Sequence, residues 1–338
     1  MAKSRLRAVV AGYPELAAVL VAAAIGLSAP RPLAWLAARQ GINVLLAVLV
    51  FATAVTIEPA ALRRAALAWR SLLAALAVGV TVLPALSWAA AAMVPAGSLR
   101  DGVLVVGVAP CEIASVATTA LAGGEAALAA GLLIGSTVAA IAVAGPILSL
   151  EAGHAGFPPG GIAMNLALVV ALPLAAGIAV RATLPAALRA RSANRVPAGH
   201  RAVSTGPVGA ETPAAAATAV RAERAASLTA IAAVAALVAL IAAEVHLSAG
   251  YASVAGALAV FLLASALVGW LLGRRSPRPQ ATALLLTTSM RDFAIAAALA
   301  TAAFGPPAAA PLGLYGILVL IWGTAAAGAL RRPSPVAE

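Results

Sequence analysis

Apolar stretches of about twenty residues recur from one end of the chain to the other, and no other feature limits the fold so tightly. They lie near 12–29, 41–58, 71–94, 102–122, 125–150, 161–184, 227–247, 251–273, 280–304 and 309–330. A helix needs about 20 such residues to cross a hydrocarbon core about 30 Å thick. Only helices and closed barrels satisfy their own backbone polar groups in that medium. The runs are Ala, Leu and Val without the period-two alternation of a barrel strand. The sequence therefore predicts an all-α membrane protein with ten transmembrane helices. Only 10% of its residues are charged, against roughly 25% in a soluble domain.

The net charge of +11 does not mark a nucleic-acid binder. Aromatic residues are 4% of the chain and do not interleave with basic ones as they do on strand-binding surfaces. Membrane topology explains the basic residues instead. With the N-terminus in the cytoplasm, the segments on that side collect 18 of the 22 Lys and Arg, from Lys3, Arg5 and Arg7 to Arg331 and Arg332. The opposite side holds 3, namely Arg31, Arg39 and Arg100, and Arg291 falls inside a span. This is the positive-inside asymmetry. It places both termini in the cytoplasm of a cell whose inner membrane holds the protein.

Residues 185–226 differ in kind, being rich in Pro, Gly, Ser, Thr and Arg with no apolar face. They are read as a cytoplasmic, disordered linker. The linker divides the spans five and five, so the second five enter the membrane upside down relative to the first. The expected organisation is a first five-helix repeat over 1–150, then the sixth span with its outer loop over 151–184. The linker over 185–226 follows, and 227–338 completes the second repeat. Inverted repeats are a recurrent transporter design, with the binding site at the midplane.

The polar residues inside the spans concentrate at two corresponding places. Pro110-Cys111-Glu112-Ile113-Ala114 in the fourth span faces Met290-Arg291-Asp292-Phe293-Ala294 in the ninth. At 1.5 Å per residue, Glu112 and Asp292 both lie roughly 15–18 Å deep, entering from opposite sides. A charge at the bilayer centre costs about 2.5–3.5 kcal/mol on insertion scales, so Glu112, Arg291 and Asp292 are expected to face a polar cavity or each other. Pro110 removes a backbone donor, and the polar run Thr287-Thr288-Ser289 can satisfy carbonyls freed by a break. Both helices are therefore expected to be discontinuous. Neighbours on a helix point about 100° apart, so Arg291 is expected to pair with Glu112 rather than with Asp292. Ser115, Thr118 and Thr119 are weaker candidates for substrate or ion binding. Nothing resembles a nucleotide-binding loop, a nucleophile–base pair or a metal-ligand spacing, and the single cysteine excludes a multi-cysteine metal site. The chain reads as a gradient-driven transporter with no enzymatic activity and no resident cofactor.

These residues carry a family resemblance. The stretch GVAPCEIASVATTALAGGEAALAAGLLIGSTVAAIAVAGPIL resembles the fourth and fifth helices of the bile acid:sodium symporter family. TTSMRDFAIAAALATAAFG resembles its ninth, and Pro84 and Pro173 fall where the family has prolines. The resemblance implies a carrier in which a core bundle (spans 3–5 and 8–10) moves against a panel (spans 1, 2, 6 and 7). It implies organic-anion substrates and sodium as the coupling ion. The family's ninth helix carries Glu and then Met-Gln-Asn, where this chain reads Thr287 and then Met290-Arg291-Asp292. Glu112 and Asp292 then stand as a sodium or proton site, and Arg291 as the receptor of an anionic substrate. Ala109-Pro110-Cys111 also resembles the arsenite efflux carriers, which makes Cys111 the alternative ligand of an arsenite carrier. A membrane sensor or scaffold working through 185–226 is the remaining alternative.

Overall fold

The computed structural model describes residues 21–36 (without 23, 27 and 29), 40–57, 59–151, 159–183, 213–243 and 250–330. Among them every regular element is helical, and the only extended pairing is one isolated antiparallel bridge between Cys111 and Arg291. In chain order the helices are α1 (Pro30–Leu36), α2 (Ile42–Ala54), α3 (Pro59–Leu67), α4 (Trp69–Val80), α5 (Val82–Ala91), α6 (Ser98–Val108), α7 (Ala114–Leu121) and α8 (Ala126–Glu151). They continue with α9 (Pro159–Leu166), α10 (Leu172–Thr183), α11 (Pro213–Ala243), α12 (Gly250–Gly273), α13 (Arg278–Ser289), α14 (Phe293–Phe304) and α15 (Ala310–Leu330).

Several expected spans are built from two pieces, and the sequence explains each interruption. The third span is α4 and α5, parted at Thr81. Pro84 has no N–H for the Val80 carbonyl and its ring crowds that position, and the Thr81 hydroxyl turns back to donate to the Ala77 carbonyl at 2.7 Å. The sixth span is α9 and α10, joined by the π-helical turn Ala167–Ala171 just ahead of Pro173. An extra residue in the turn accommodates the missing donor. The fourth span is α6 and α7, and the ninth is α13 and α14; both contain true breaks in the backbone.

Among the described residues, five stretches are long and apolar enough to cross a membrane: Trp69–Ala91, Ala126–Leu150, Gly160–Ala182, Gly250–Gly273 and Pro306–Leu330. Ile42–Ala54, Leu228–Ala243 and Phe293–Phe304 are apolar but shorter. The fourth and ninth spans fall short because their breaks divide them. The first expected span, 12–29, lies mostly outside the described residues, as do Lys3, Arg5 and Arg7. Large apolar side chains such as Leu73, Val138, Leu263 and Trp270 stay exposed on the outside, the surface a lipid environment covers.

Three segments depart from expectation. The linker was expected to run disordered to residue 226, yet α11 is helical from Pro213; PAAAATAVRAERAAS is alanine-rich, and alanine is the strongest helix former. Residues 184–212 lie outside the described residues. Pro59–Leu67, expected as loop, is the short helix α3, with Ala61 and Ala65 buried and Arg63 and Arg64 exposed. Its close seating is possible because α8 presents Gly131, where a Cβ would stand 2.5 Å from that of Ala65. The first span was expected to end at 29, but Pro30–Leu36 is helical. Prolines in a first turn are tolerated there because the N–H they lack has no intrahelical acceptor.

Packing centres on the two broken helices. α6 packs against α14, and α13 against α7, so the four pieces cross. On one side α4, α5, α8, α12 and α15 surround the crossing; on the other, α2 packs against α10 and α11. Small residues set the closest approaches. At Gly107 of α6 an added Cβ would stand 2.1 Å from Ser87 Oγ and 2.6 Å from the Leu83 carbonyl oxygen of α5. Overpacking of this kind costs about 1–3 kcal/mol. Gly107→Val is therefore expected to lower the unfolding temperature of the purified protein. Gly79→Ala, where an added Cβ meets nothing within 4 Å, should leave it unchanged or raise it. Equal melting of Gly107→Val and wild type would contradict the α5–α6 contact.

Candidate functional site

Each broken helix leaves carbonyls and N–H groups without helical partners, and in an apolar interior every such group must find one. Here the two breaks serve each other. The Glu112 N–H donates to the Met290 carbonyl at 2.8 Å, and the Asp292 N–H donates to the Pro110 carbonyl at 2.9 Å. Between them lies the antiparallel bridge of Cys111 and Arg291. Ala109 and Met290, the last residues before the breaks, are both extended. Pro110 cannot donate, so its carbonyl is the natural acceptor for the partner strand.

The charges expected at midplane come together at this bridge and are buried: Glu112 is 6% exposed, Arg291 5% and Asp292 0%. Asp292 caps α14, its Oδ1 accepting from the N–H groups of Ala294 at 2.9 Å and Ile295 at 2.8 Å. A carboxylate at a helix N-terminus also meets the positive end of the macrodipole. Asp292 Oδ2 has no hydrogen-bond partner. Glu112 Oε2 accepts from the Phe293 N–H at 3.4 Å, so both acids face the start of α14.

Arg291 does not pair with Glu112 as expected. Its guanidinium donates to the Ala109 carbonyl, and its Nε has no partner. The reason is the break itself: Arg291 and Asp292 are extended rather than helical, so helical spacing does not set their directions. The Ala109 carbonyl, freed at the end of α6, lies closer at hand than the Glu112 carboxylate, which is turned to α14.

The other candidates divide. Cys111 is buried, with its N–H donating to Ser136 Oγ at 3.1 Å and its Sγ also 3.1 Å from that oxygen. Thr118 and Thr287 donate to carbonyls of their own helices, Ala114 and Ala283, the ordinary habit of threonine in a helix. Ser289 donates to Leu285 at 2.8 Å. Ser115 and Thr119 are fully buried with hydroxyls that have no partner. Thr119 stands apart from the bridge, beside Gly124 and Thr282. Met290 is buried, its methyl at the place where a Cβ on Gly323 would lie.

Sequence reasoning missed the support supplied by α15. The Tyr315 hydroxyl accepts from the Arg291 N–H and donates to the Ser289 carbonyl, both at 3.3 Å. Trp322 Nε1 donates to Ser289 Oγ at 2.9 Å. Tyr315 and Trp322 were visible as two of few aromatics with a polar tip, which in an apolar interior requires a partner. Arg291, Cys111, Ser136, Thr287 and Thr288 are among the residues lining a narrow cleft between α4–α5 and α8. A second, narrow apolar cleft lies between α2, α8 and α10, with Ile113 and Ile295 on its wall.

Residues 43–203 match the family model described as Sodium Bile acid symporter family. No curated protein matches the chain.

Asp292→Ala removes the cap of α14 and is expected to cost about 0.5–2 kcal/mol. Asn caps as well as Asp, so Asp292→Asn should melt nearer to wild type. Indistinguishable unfolding temperatures for the two variants would argue against the cap.

Proposed function

We propose that the chain, whose residues 43–203 match the model of the sodium bile acid symporter family, shares the transporter character of that family's members and is a secondary active carrier for a small organic anion. It works by alternating access and is coupled to a cation, sodium or proton, in the inner membrane with both termini cytoplasmic. The proposed architecture is ten helices in two inverted five-helix repeats. The breaks at Ala109–Ile113 and Met290–Asp292, one in each half and hydrogen-bonded to each other, support it.

The observation that carries this reading is the crossing itself: two interrupted helices holding Glu112, Arg291 and Asp292 buried at their junction. A purely structural bundle has no use for three charges at this cost. Arg291, bound to a carbonyl and to no carboxylate, is a cation available to an anionic substrate. Asp292 Oδ2 and Ser115 Oγ, both buried without partners, are oxygens available to the coupling cation. The broken helices allow the two ends of each span to move separately while the bridge holds the centre.

Reconstitution into vesicles, with candidate anions supplied under imposed sodium or proton gradients, tests the reading. Wild type should accumulate substrate against its gradient under one of the two. Glu112→Gln with Asp292→Asn should retain downhill exchange and lose accumulation. Arg291→Gln should raise the half-saturating substrate concentration at least tenfold, the loss of a charge-assisted contact. Accumulation undiminished in the double variant would end the coupling role. Loss of function on deleting 185–212, with transport absent in wild type, would favour the sensor reading.

A further inference from the structure

The corner between α3 and α4 puts arginines and large apolar side chains side by side at one end of the molecule. α3 buries Ala61 and Ala65, packs against α8 and leaves Arg63 and Arg64 exposed. Ala65 meets α8 at Gly131, within two turns of that helix's start. Just ahead of the start, the Glu125 N–H donates to the Pro279 carbonyl at 2.9 Å. The corner therefore stands at the end where α8 and α13 begin, and where Arg274, Arg275 and Arg278 are also exposed. These arginines belong to the set that the charge asymmetry of the loops puts on the cytoplasmic side.

Topology accounts for the arginines, and the apolar surface among them is a separate observation. Leu67, the last residue of α3, is 84% exposed, Trp69 54% and Leu73 55%. Trp69 and Leu73 are four residues apart, so they share one face of α4. Their neighbours Ala68 and Leu72 pack inward instead. The Arg70 guanidinium lies over the Trp69 ring, 5.3 Å from its centre, a cation–π contact that holds the charge beside the indole. Cations from two helices, Arg63 of α3 and Arg70 of α4, thus bracket Leu67 and Trp69. Water is a poor medium for the leucines, and hydrocarbon is a poor one for the arginines.

Going beyond the carrier reading and independent of it, we propose that this corner binds an anionic phospholipid of the adjoining leaflet. The phosphate sits between Arg63 and Arg70. The Trp69 indole lies at headgroup level, where tryptophan gathers at membrane interfaces. An acyl chain runs down α4 over Leu73. Free phosphate or an acidic peptide matches the charges and leaves Leu67 and Leu73 uncovered. A zwitterionic phospholipid covers the leucines, but its ammonium group opposes the arginines.

The test is native mass spectrometry of the full-length protein in detergent, titrated with phosphatidylglycerol or with phosphatidylcholine of matched chains. Wild type should hold phosphatidylglycerol roughly tenfold more tightly or better. Arg63→Gln with Arg70→Gln should weaken that binding about 25-fold, about fivefold per charge, and leave phosphatidylcholine unchanged. Trp69→Ala should weaken both lipids. Arg274→Gln with Arg275→Gln removes the same charge from the same end and should cost about twofold at most, since distant exposed charges are screened. All four arginines are exposed, so these variants should melt with wild type; if the first pair melts early, each single variant carries the test at about fivefold. Equal retention of the two lipids by wild type overturns the site. Equal losses in the two double variants make the attraction a diffuse field and overturn it too. Glycerophosphoglycerol, the headgroup without chains, competing as well as the whole lipid would make it a phosphate site. A lipid-free dimer abolished by Trp69→Ala would make it an interface between copies of the chain. Either result also overturns the proposal.

Discussion

Two backbone hydrogen bonds, from Glu112 to Met290 and from Asp292 to Pro110, are what allow this chain to break a helix in the middle of an apolar body. A break alone strands several peptide groups, each costing a few kcal/mol in hydrocarbon. A second break, brought against the first in antiparallel register, supplies the missing partners. Neither break is tolerable without the other, so the fourth and ninth spans must cross at this level. The placement of α6 on α14 and of α13 on α7 follows from that demand. Tyr315 completes the arrangement by bonding to the Arg291 N–H and the Ser289 carbonyl, and α15 is fixed against the junction as a result.

The charges follow the same logic. Asp292 is the cap that α14 needs at a start buried away from water, and Glu112 reaches the same end of that helix. Two acids facing one helix start leave one carboxylate oxygen, Asp292 Oδ2, without a donor. Arg291 does not neutralise them by contact, because the carbonyl of Ala109 takes its guanidinium. The junction therefore combines a cation held away from its natural anions with acids that have acceptor capacity to spare. Such separation costs stability and serves no packing purpose.

Much of this was legible in the residues. Ten apolar stretches, the charge asymmetry of the loops and the matched acids of the fourth and ninth spans indicated a membrane carrier before any coordinates. Pro110 and the polar run Thr287–Ser289 marked both breaks. At Arg291 sequence reasoning assumed helical geometry at a place where the helix had ended. Arg291 was paired with Glu112 by a helical angle that does not apply in an extended segment. Conversely, helix was underestimated where composition alone suggested loop, at Pro59–Leu67 and from Pro213 onward; alanine content outweighed the arginines and prolines nearby. Tyr315 and Trp322 showed that they need partners, but which ones was not legible locally, because those partners lie 24 to 33 residues away in sequence.

The cleft beside α8 and the junction share residues. Arg291 contributes its backbone to the bridge and its side chain to the cleft wall, and Cys111 does the same from the opposite strand. Ser136 binds both the N–H and the sulfur of Cys111, so α8 senses the bridge through one side chain. The bridge, the end of α6 and the register of α8 are therefore held together at one place, through Arg291 on the Ala109 carbonyl and Ser136 on Cys111.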